Sequence, residues 1–312
     1  MEEETSIRAK VDEARLKKTL LFSGIILATL LVVYLLVVGI GLYVFRWRGN
    51  WVKWTAKVFP YPAGWVRIYP ITFAEVFREV GHAQKFYQQT GGMAPSEAEL
   101  EAKAIDTLLR FKLVEVLSAE YHLRVQPEEV QKTLNQLYEE NGGKESFEEI
   151  VWQFYGLRPA EVKHLIFLTL LEEKLYRYFE DNLRHKIHLA HILVKDEKQA
   201  KKVFKLAEKQ DFSALAKKYS KDNKTKNKGG ELGFFAPDEL ASVIAKGKEL
   251  DRKLYLDFKK KVWGAKEGKV FLFHTPRGWQ IIKVLGYRGE VDKSYEEWFK
   301  EKQSESLILK FI

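Results

Sequence analysis

The stretch that most constrains this chain is Thr19–Phe45, which contains no charged residue. As an α-helix rising 1.5 Å per residue it would be about 40 Å long, enough to cross a hydrocarbon core of about 30 Å with some tilt. A cleaved signal peptide has a shorter apolar region of about 7–15 residues and a small-residue cleavage site. Neither feature is evident here. We therefore predict a retained transmembrane helix over residues 19–45, after a polar tail over residues 1–18.

The orientation of this span is predicted from its short N-terminal tail. Basic residues flank the span in nearly equal numbers, so the positive-inside rule does not decide the orientation. A short tail favours a cytoplasmic N-terminus and extracytoplasmic C-terminal domains. Trp47, Trp51 and Trp54 follow the span and are typical of a membrane interface. The sequence thus predicts a single-pass protein of the cell membrane.

Composition narrows the chemistry that is open to the chain. There is no cysteine, which excludes disulfides, thiol catalysis and cysteine-bound metals. The formal net charge of +9 is concentrated in residues 186–290, where Lys and Arg outnumber Asp and Glu. Such charge beside a bilayer is consistent with attraction to anionic lipid or to a cell-wall polymer. No stacking aromatics are interleaved with a basic stripe, so nucleic acid is not an expected partner.

A helical domain is predicted over residues 71–184, after a proline-containing linker over residues 46–70 that has room for a strand near Trp65–Tyr69. Apolar residues recur at helical spacing, and three capping boxes mark helix starts. The predicted helices are Phe73–Gln89, Glu97–Tyr121, Pro127–Glu140, Phe147–Phe154 and Pro159–Leu183, and the capping boxes are Thr72–Glu75, Ser96–Glu99 and Ser146–Glu149. A last helix is predicted from about Tyr295 to Leu309, with Ser294 as its cap.

Residues 186–288 have the pattern of a small α+β domain. Ile187–Val194 alternates and then runs apolar, as a central strand does. Asp196 and Asp211 are each placed to cap a following helix. Further short strands are predicted at Leu232–Phe235, Val270–His274 and Trp279–Gly286. This order predicts a four-stranded sheet with helices packed on it.

Three blocks in this domain carry a resemblance to a known family. They are His191-Ile192-Leu193-Val194, Gly229-Gly230-Glu231-Leu232-Gly233-Phe234-Phe235 and Gly278-Trp279-Gln280-Ile281-Ile282-Lys283-Val284. In this order they resemble the parvulin-type peptidyl-prolyl cis/trans isomerase domain. Residues 71–76 and the helices after them are similar to the N-terminal chaperone domain of SurA/PrsA/PpiD-like foldases. The resemblance implies that a C-terminal helix within residues 291–312 packs on that domain, which makes the parvulin domain an insertion.

The resemblance also implies a set of site residues. The catalytic positions fall on His191, Asp222, Gln280 and Thr275, and the positions that hold the proline ring fall on Leu232, Leu254 and Phe258. Placing Leu254 and Phe258 in this way implies an insertion around residues 237–253. The family commonly has a second histidine where Gln280 stands, and glutamine forms hydrogen bonds but does not titrate. No metal or other cofactor is expected.

The same residues have plainer interpretations when the resemblance is set aside. His191 on an apolar strand is typical of a hydrogen-bonded core histidine, and Leu254 and Phe258 are typical of a hydrophobic core. Two functions therefore stay open. One is a membrane-anchored extracytoplasmic foldase that isomerises X-Pro bonds in unfolded, newly exported polypeptides. The other is a catalytically weak or inactive membrane-tethered chaperone that uses the parvulin domain to bind peptides.

Overall fold

The structure is a computed structural model that describes residues 2–245 and 251–311. The chain divides into two compact units, which we call the helical unit (Met1–Glu172 with Gln303–Ile312) and the sheet unit (Glu173–Lys302). The helices are α1 (Glu2–Tyr43), α2 (Asn50–Val58), α3 (Phe73–Thr90), α4 (Glu97–Glu120), α5 (Pro127–Glu140), α6 (Lys144–Tyr155), α7 (Pro159–Tyr178), α8 (Glu197–Ala207), α9 (Phe212–Tyr219), α10 (Leu240–Ala245), α11 (Arg252–Val262) and α12 (Tyr295–Glu305). The strands are β1 (Pro62–Val66), β2 (Tyr69–Thr72), β3 (Lys186–Val194), β4 (Glu231–Phe235), β5 (Val270–Thr275), β6 (Gly278–Arg288) and β7 (Ile308–Lys310).

Helix α1 runs through nearly the whole predicted span and ends at Tyr43, slightly before Phe45. Within it, Lys17–Tyr43 is long and apolar enough to cross a membrane, a property that a signal sequence near an N-terminus shares. Most of its large apolar side chains are exposed, whereas Val38 and Leu42 near its end are buried. The helix therefore presents an apolar surface between Leu20 and Ile40.

The helical unit also contains a three-stranded antiparallel sheet with the order β2-β1-β7. Residues 46–70 are not the linker that the sequence predicted, because they form α2, β1 and the start of β2. The sequence predicted at most one strand in this region, near Trp65–Tyr69, whereas the structure has β1 and β2 as parts of a three-stranded sheet. Its third strand comes from the far end of the chain, so β1 and β7 have no local signal that they pair.

The C-terminal helix is shorter than predicted. Helix α12 ends at Glu305, and Ile308–Lys310 pairs with β1 as β7. Leu307 and Leu309 were predicted to be helical, although a spacing of two residues places side chains on one face of a strand and not of a helix. Within the sheet unit, Trp298 of α12 packs on Phe179 with ring centroids 5.1 Å apart. That this helix completes the helical domain stays a prediction.

Helices α3 to α7 lie close to their predicted bounds. The capping boxes at Thr72 and Ser96 both form, with the hydroxyl and the glutamate carboxylate each accepting a backbone N–H. Ser146 does not cap α6, which begins at Lys144 after Gly143. Gly143 has a φ of 102°, a conformation that favours glycine, and the helix thereby starts earlier than the serine. The helix predicted over Pro159–Leu183 is α-helical as far as Tyr178 and ends in a π-helical turn over Phe179–Leu183.

The sheet unit has the predicted four-stranded sheet, with the order β4-β3-β6-β5 and antiparallel pairing throughout. Along β3, Ala190 and Ile192 pack into a core with α8 and α9, whereas Ile187 and Leu189 pack into a second core with α10 and α11. This alternation follows from the two-residue period of a strand. The sheet therefore separates two apolar layers.

Two helix starts in the sheet unit follow the sequence prediction. Asp196 and Asp211 accept backbone N–H groups at the starts of α8 and α9. The predicted insertion over residues 237–253 contains α10, and Asp251 caps α11. Residues 246–250 of that insertion lie outside the described residues.

Candidate active site

His191 lies in β3 with its side chain fully buried. Leu189, two residues earlier, packs into the core beside α10 and α11, so strand alternation points His191 to that same face. Its neighbour across the sheet is Ile282 of β6, which belongs to the same core. A buried imidazole in apolar surroundings needs hydrogen-bond partners for both ring nitrogens.

Gln280 of β6 supplies the partner for one of these nitrogens. Its side chain is fully buried, and its Oε1 lies 2.9 Å from Nδ1 of His191. Its Nε2 donates to Oγ1 of Thr275 at 3.0 Å. The Thr275 hydroxyl donates in turn to the backbone oxygen of Gly278 at 2.8 Å. Because that hydroxyl has one hydrogen, it accepts from Gln280, and the amide oxygen is left to accept from Nδ1–H of His191.

The other ring nitrogen of His191 faces the loop that follows α9. Nε2 lies 3.2 Å from Oδ2 of Asp222 and 3.1 Å from Oγ1 of Thr225. The Asp222 side chain is only 4% exposed, and its Oδ2 accepts from Nη2 of Arg277 at 2.6 Å. Its Oδ1 accepts from the backbone N–H of Lys224 at 3.0 Å. Both oxygens of the buried carboxylate thus have partners, as the burial of a charge requires.

The structure therefore brings together the polar residues that the sequence analysis placed in the site. They form one series of contacts, called here the polar chain: Asp222, His191, Gln280 and Thr275. Thr225 and Arg277 contact this series, and the sequence analysis missed both. Arg277 lies two residues after Thr275 in the β5–β6 turn, but no local pattern shows that it contacts Asp222. Thr225 had no signal beyond its place in the same loop as Asp222.

Phe258 of α11 is fully buried in the core on the same sheet face as the polar chain. Its ring meets that of Phe273 edge to face, with centroids 5.0 Å apart. Leu232 of β4 and Leu254 of α11 are half-buried and pack against the same core. The three predicted ring-binding residues thus share one apolar cluster, and the two leucines form its partly exposed edge.

Helix α10 adds a residue that the sequence analysis missed. Ile244 is fully buried in the apolar cluster, and its backbone oxygen accepts from Nε2 of Gln280 at 3.4 Å. Leu240, one turn earlier, is also fully buried in the cluster. The pair repeats the spacing of Leu254 and Phe258, which was a signal present in the sequence. Ile244 thus joins the polar chain to the apolar cluster.

This arrangement offers fixed hydrogen-bonding groups beside an apolar surface. Rotation about an X-Pro bond meets a barrier of about 18–20 kcal/mol because it breaks amide resonance. The rotation needs no covalent intermediate. Preorganised dipoles next to a water-poor surface favour a twisted amide over a planar one. The site therefore suits isomerisation of a prolyl peptide bond.

Comparison with known proteins defines first the class of this domain. Residues 173–288 match the family described as the PPIC-type PPIase domain, so the chain carries a parvulin-type peptidyl-prolyl isomerase. Foldase protein PrsA of Geobacillus kaustophilus is 31% identical over 216 residues, which cover 66% of this chain and 69% of that protein. Foldase protein PrsA of Geobacillus sp. strain WCH70 is 30% identical over 222 residues, which cover 66% of this chain and 70% of that protein. The chain belongs to the PrsA foldase family.

A solved structure is also similar to this chain. It is that of the peptidylprolyl isomerase PrsA from Bacillus anthracis, which is 25% identical. The match covers 64% of this chain and 86% of that one, with a TM-score of 0.28. Membership of the family rests on the sequence relatives.

Proposed function

We propose that this chain is a membrane-anchored foldase that isomerises X-Pro bonds in newly exported polypeptides and assists their folding. In this proposal α1 crosses the cell membrane with its N-terminus in the cytoplasm, and the domains after it lie outside the cytoplasm. The length and apolarity of α1 support the anchor, and the family supports the role in folding. The basic charge of residues 186–290 would draw the sheet unit toward anionic lipid or cell-wall polymer.

The observation that carries the isomerase site is the contact between the polar chain and the apolar cluster on one sheet face. In this proposal a proline ring packs against Leu232 and Leu254, the partly exposed edge of the cluster that contains the buried Phe258. His191 and Gln280 hold the polar side of the site in one orientation. Groups fixed in this way require little reorganisation while the amide twists.

A second function, the binding of unfolded chains without catalysis, is supported by the helical unit. A cavity of about 540 Å³ opens between α5, α6 and α7. Its lining is almost wholly apolar: Thr133, Leu137, Phe147, Val151, Tyr155, Leu157, Val162, Leu165, Ile166, Thr169 and Leu170. Ile150 and Trp152 of α6 are also exposed, by 45% and 54%. Apolar surface of this kind marks sites that contact other chains or ligands.

Two assays on the detergent-solubilised full chain separate these functions. One follows isomerisation of short Xaa-Pro peptides, and the other follows aggregation of an unfolded client. The wild type is expected to accelerate isomerisation, and His191→Ala and Leu232→Ser are expected to lose most of that activity while still suppressing aggregation. Phe258→Ala is a poorer test because truncating a buried phenylalanine costs about 3–5 kcal/mol.

The matched control is Gln131→Leu, a substitution on the exposed surface of α5. It is expected to keep both activities. A wild type that is inert toward the peptides yet suppresses aggregation would leave only the binding function. Full isomerase activity in both His191→Ala and Leu232→Ser would contradict the assigned site.

A further inference from the structure

Helix α2 folds back along the end of α1, within the helical unit. The hydroxyl of Tyr34 in α1 lies 2.6 Å from Oγ1 of Thr55 in α2. Shortly after α2, the hydroxyl of Tyr61 donates to the backbone oxygen of Leu35 at 2.7 Å. Both contacts meet α1 well before its end at Tyr43. Helix α2 therefore lies beside the last turns of α1.

These contacts fix the depth of α2 once α1 spans a bilayer. From Lys18, the last charged residue before the apolar stretch, to Tyr34, α1 rises by about 24 Å at 1.5 Å per residue. The hydrocarbon core of a bilayer is about 30 Å thick, and any tilt of α1 reduces the rise along the membrane normal. Tyr34 therefore lies about 6 Å inside the outer boundary of the hydrocarbon, or somewhat deeper when α1 is tilted. Helix α2 is held at that same level.

Helix α2 has one buried face and one exposed apolar face, as expected for a helix that lies between a protein core and a membrane. Val52 and Ala56 are fully buried on one face. Trp51, Trp54 and Val58 recur at helical spacing on the other face and are 50%, 63% and 52% exposed. We call these three residues the docking face. Tryptophan is enriched where a protein meets the headgroup region of a membrane.

The segment between α1 and α2 holds the docking face in a fixed orientation. The backbone N–H of Trp47 donates to the backbone oxygen of Gly41 at 2.8 Å. Arg48 pairs with Glu101 of α4 at 2.5 Å, and their side chains are only 12% and 5% exposed. A buried pair of this kind resists opening, because separation would leave an unpaired charge. These contacts thus hold α2 and α4 of the helical unit in a fixed position relative to the end of α1.

We infer that the docking face inserts into the outer interfacial layer of the bilayer and holds the helical unit against the membrane. Lipid is the occupant because the exposed apolar surface continues from α1 through Val44 and Phe45, which are 67% and 63% exposed. The depth of α2 agrees with this layer, because an interfacial helix buries its apolar face about 5–10 Å into the boundary between headgroups and acyl chains. This inference rests on the proposed membrane anchor and extends it from a single helix to a helix pair.

Because the chain has no native cysteine, a single introduced cysteine can be labelled with a dye at a chosen position, which tests the inference directly. Three full-length variants, Trp54→Cys, Leu27→Cys and Met93→Cys, are labelled with the environment-sensitive dye NBD and reconstituted into phosphatidylcholine–phosphatidylglycerol vesicles. Leu27 is an exposed residue of α1 and reports the anchor, and Met93, at 96% exposure, is the aqueous control. Spin-labelled lipids and aqueous iodide serve as quenchers.

The dye at position 54 is expected to shift to the blue, to be quenched by spin-labelled lipid and to resist iodide, whereas the dye at position 93 behaves as in water. If position 27 reports lipid but position 54 resembles position 93, the docking face is refuted while the anchor stands. If position 27 also resembles position 93, the anchor fails and the docking face fails with it. A dye at position 54 that resists both quenchers would show a protein partner there and would overturn the inference.

Discussion

Replacing Gln280 with leucine removes the residue that joins His191 to Thr275. In the wild type, Gln280 accepts from His191 Nδ1 at 2.9 Å and donates to Thr275 Oγ1 at 3.0 Å. Thr275 keeps its bond to the backbone oxygen of Gly278 in the variant, whereas the buried Nδ1–H loses its partner. An unsatisfied buried donor costs about 1–3 kcal/mol, so the free energy of unfolding should fall by that amount. Isomerase activity should fall by roughly fivefold or more, because about 1 kcal/mol of positioning is lost.

The measurements are urea unfolding and the ratio kcat/KM on an Xaa-Pro peptide. Gln280→His, which restores a ring nitrogen as a hydrogen-bond partner, should recover part of both quantities. Gln131→Leu, an exposed substitution, should change stability by less than about 0.5 kcal/mol. A Gln280→Leu variant that is as stable and as active as the wild type would refute the role of the polar chain.

Other perturbations test separate contacts. Arg277→Gln leaves the buried Asp222 without its cation and should lower the free energy of unfolding by about 3–5 kcal/mol, whereas an unchanged urea midpoint would show that the pair is not buried. Burial, and then the hydrogen bond to Glu148, raise the pKa of Tyr138 from 10.0 to about 12, so its stabilising contribution is complete below pH 10 and disappears between pH 10 and about 12. Tyr138→Phe should lose less stability than the wild type over that window, and parallel pH curves would contradict the shift. Gly230→Ala should destabilise by more than about 1 kcal/mol in urea unfolding, because φ is +76° and the added Cβ meets the backbone of β3; tolerance of alanine would contradict the strain.

The helix starts show how far local sequence signals reach. Thr72, Ser96, Asp196 and Asp211 cap helices where the sequence predicted caps, because a cap depends on groups only two or three residues apart. Ser146 is the exception, since a neighbouring glycine starts the helix first. Capping signals therefore located the starts of these four helices and failed at α6, where two start signals competed.

The candidate site likewise contains residues that were predicted before the structure was known and residues that only the structure showed. The resemblance supplied His191, Asp222, Gln280 and Thr275, and the structure joins them by contacts. Arg277 was missed because its contact with Asp222 forms only when the loop after α9 and the β5–β6 turn meet. The spacing of residues along the chain does not indicate that two distant loops come into contact. The roles of these residues in catalysis stay predictions that the assays above test.

The sequence by itself determined the long apolar helix, the order of the four strands in the sheet unit and the class of its domain. These features follow from the absence of charge, from periodicity and from short motifs, all of which act between residues close in the chain. The tertiary structure decided that β7 pairs with β1, that α2 folds back along α1 and that Ile244 joins the apolar cluster to the polar chain. Each of these depends on groups brought together from distant positions, and their energy is gained only after the chain between them has folded.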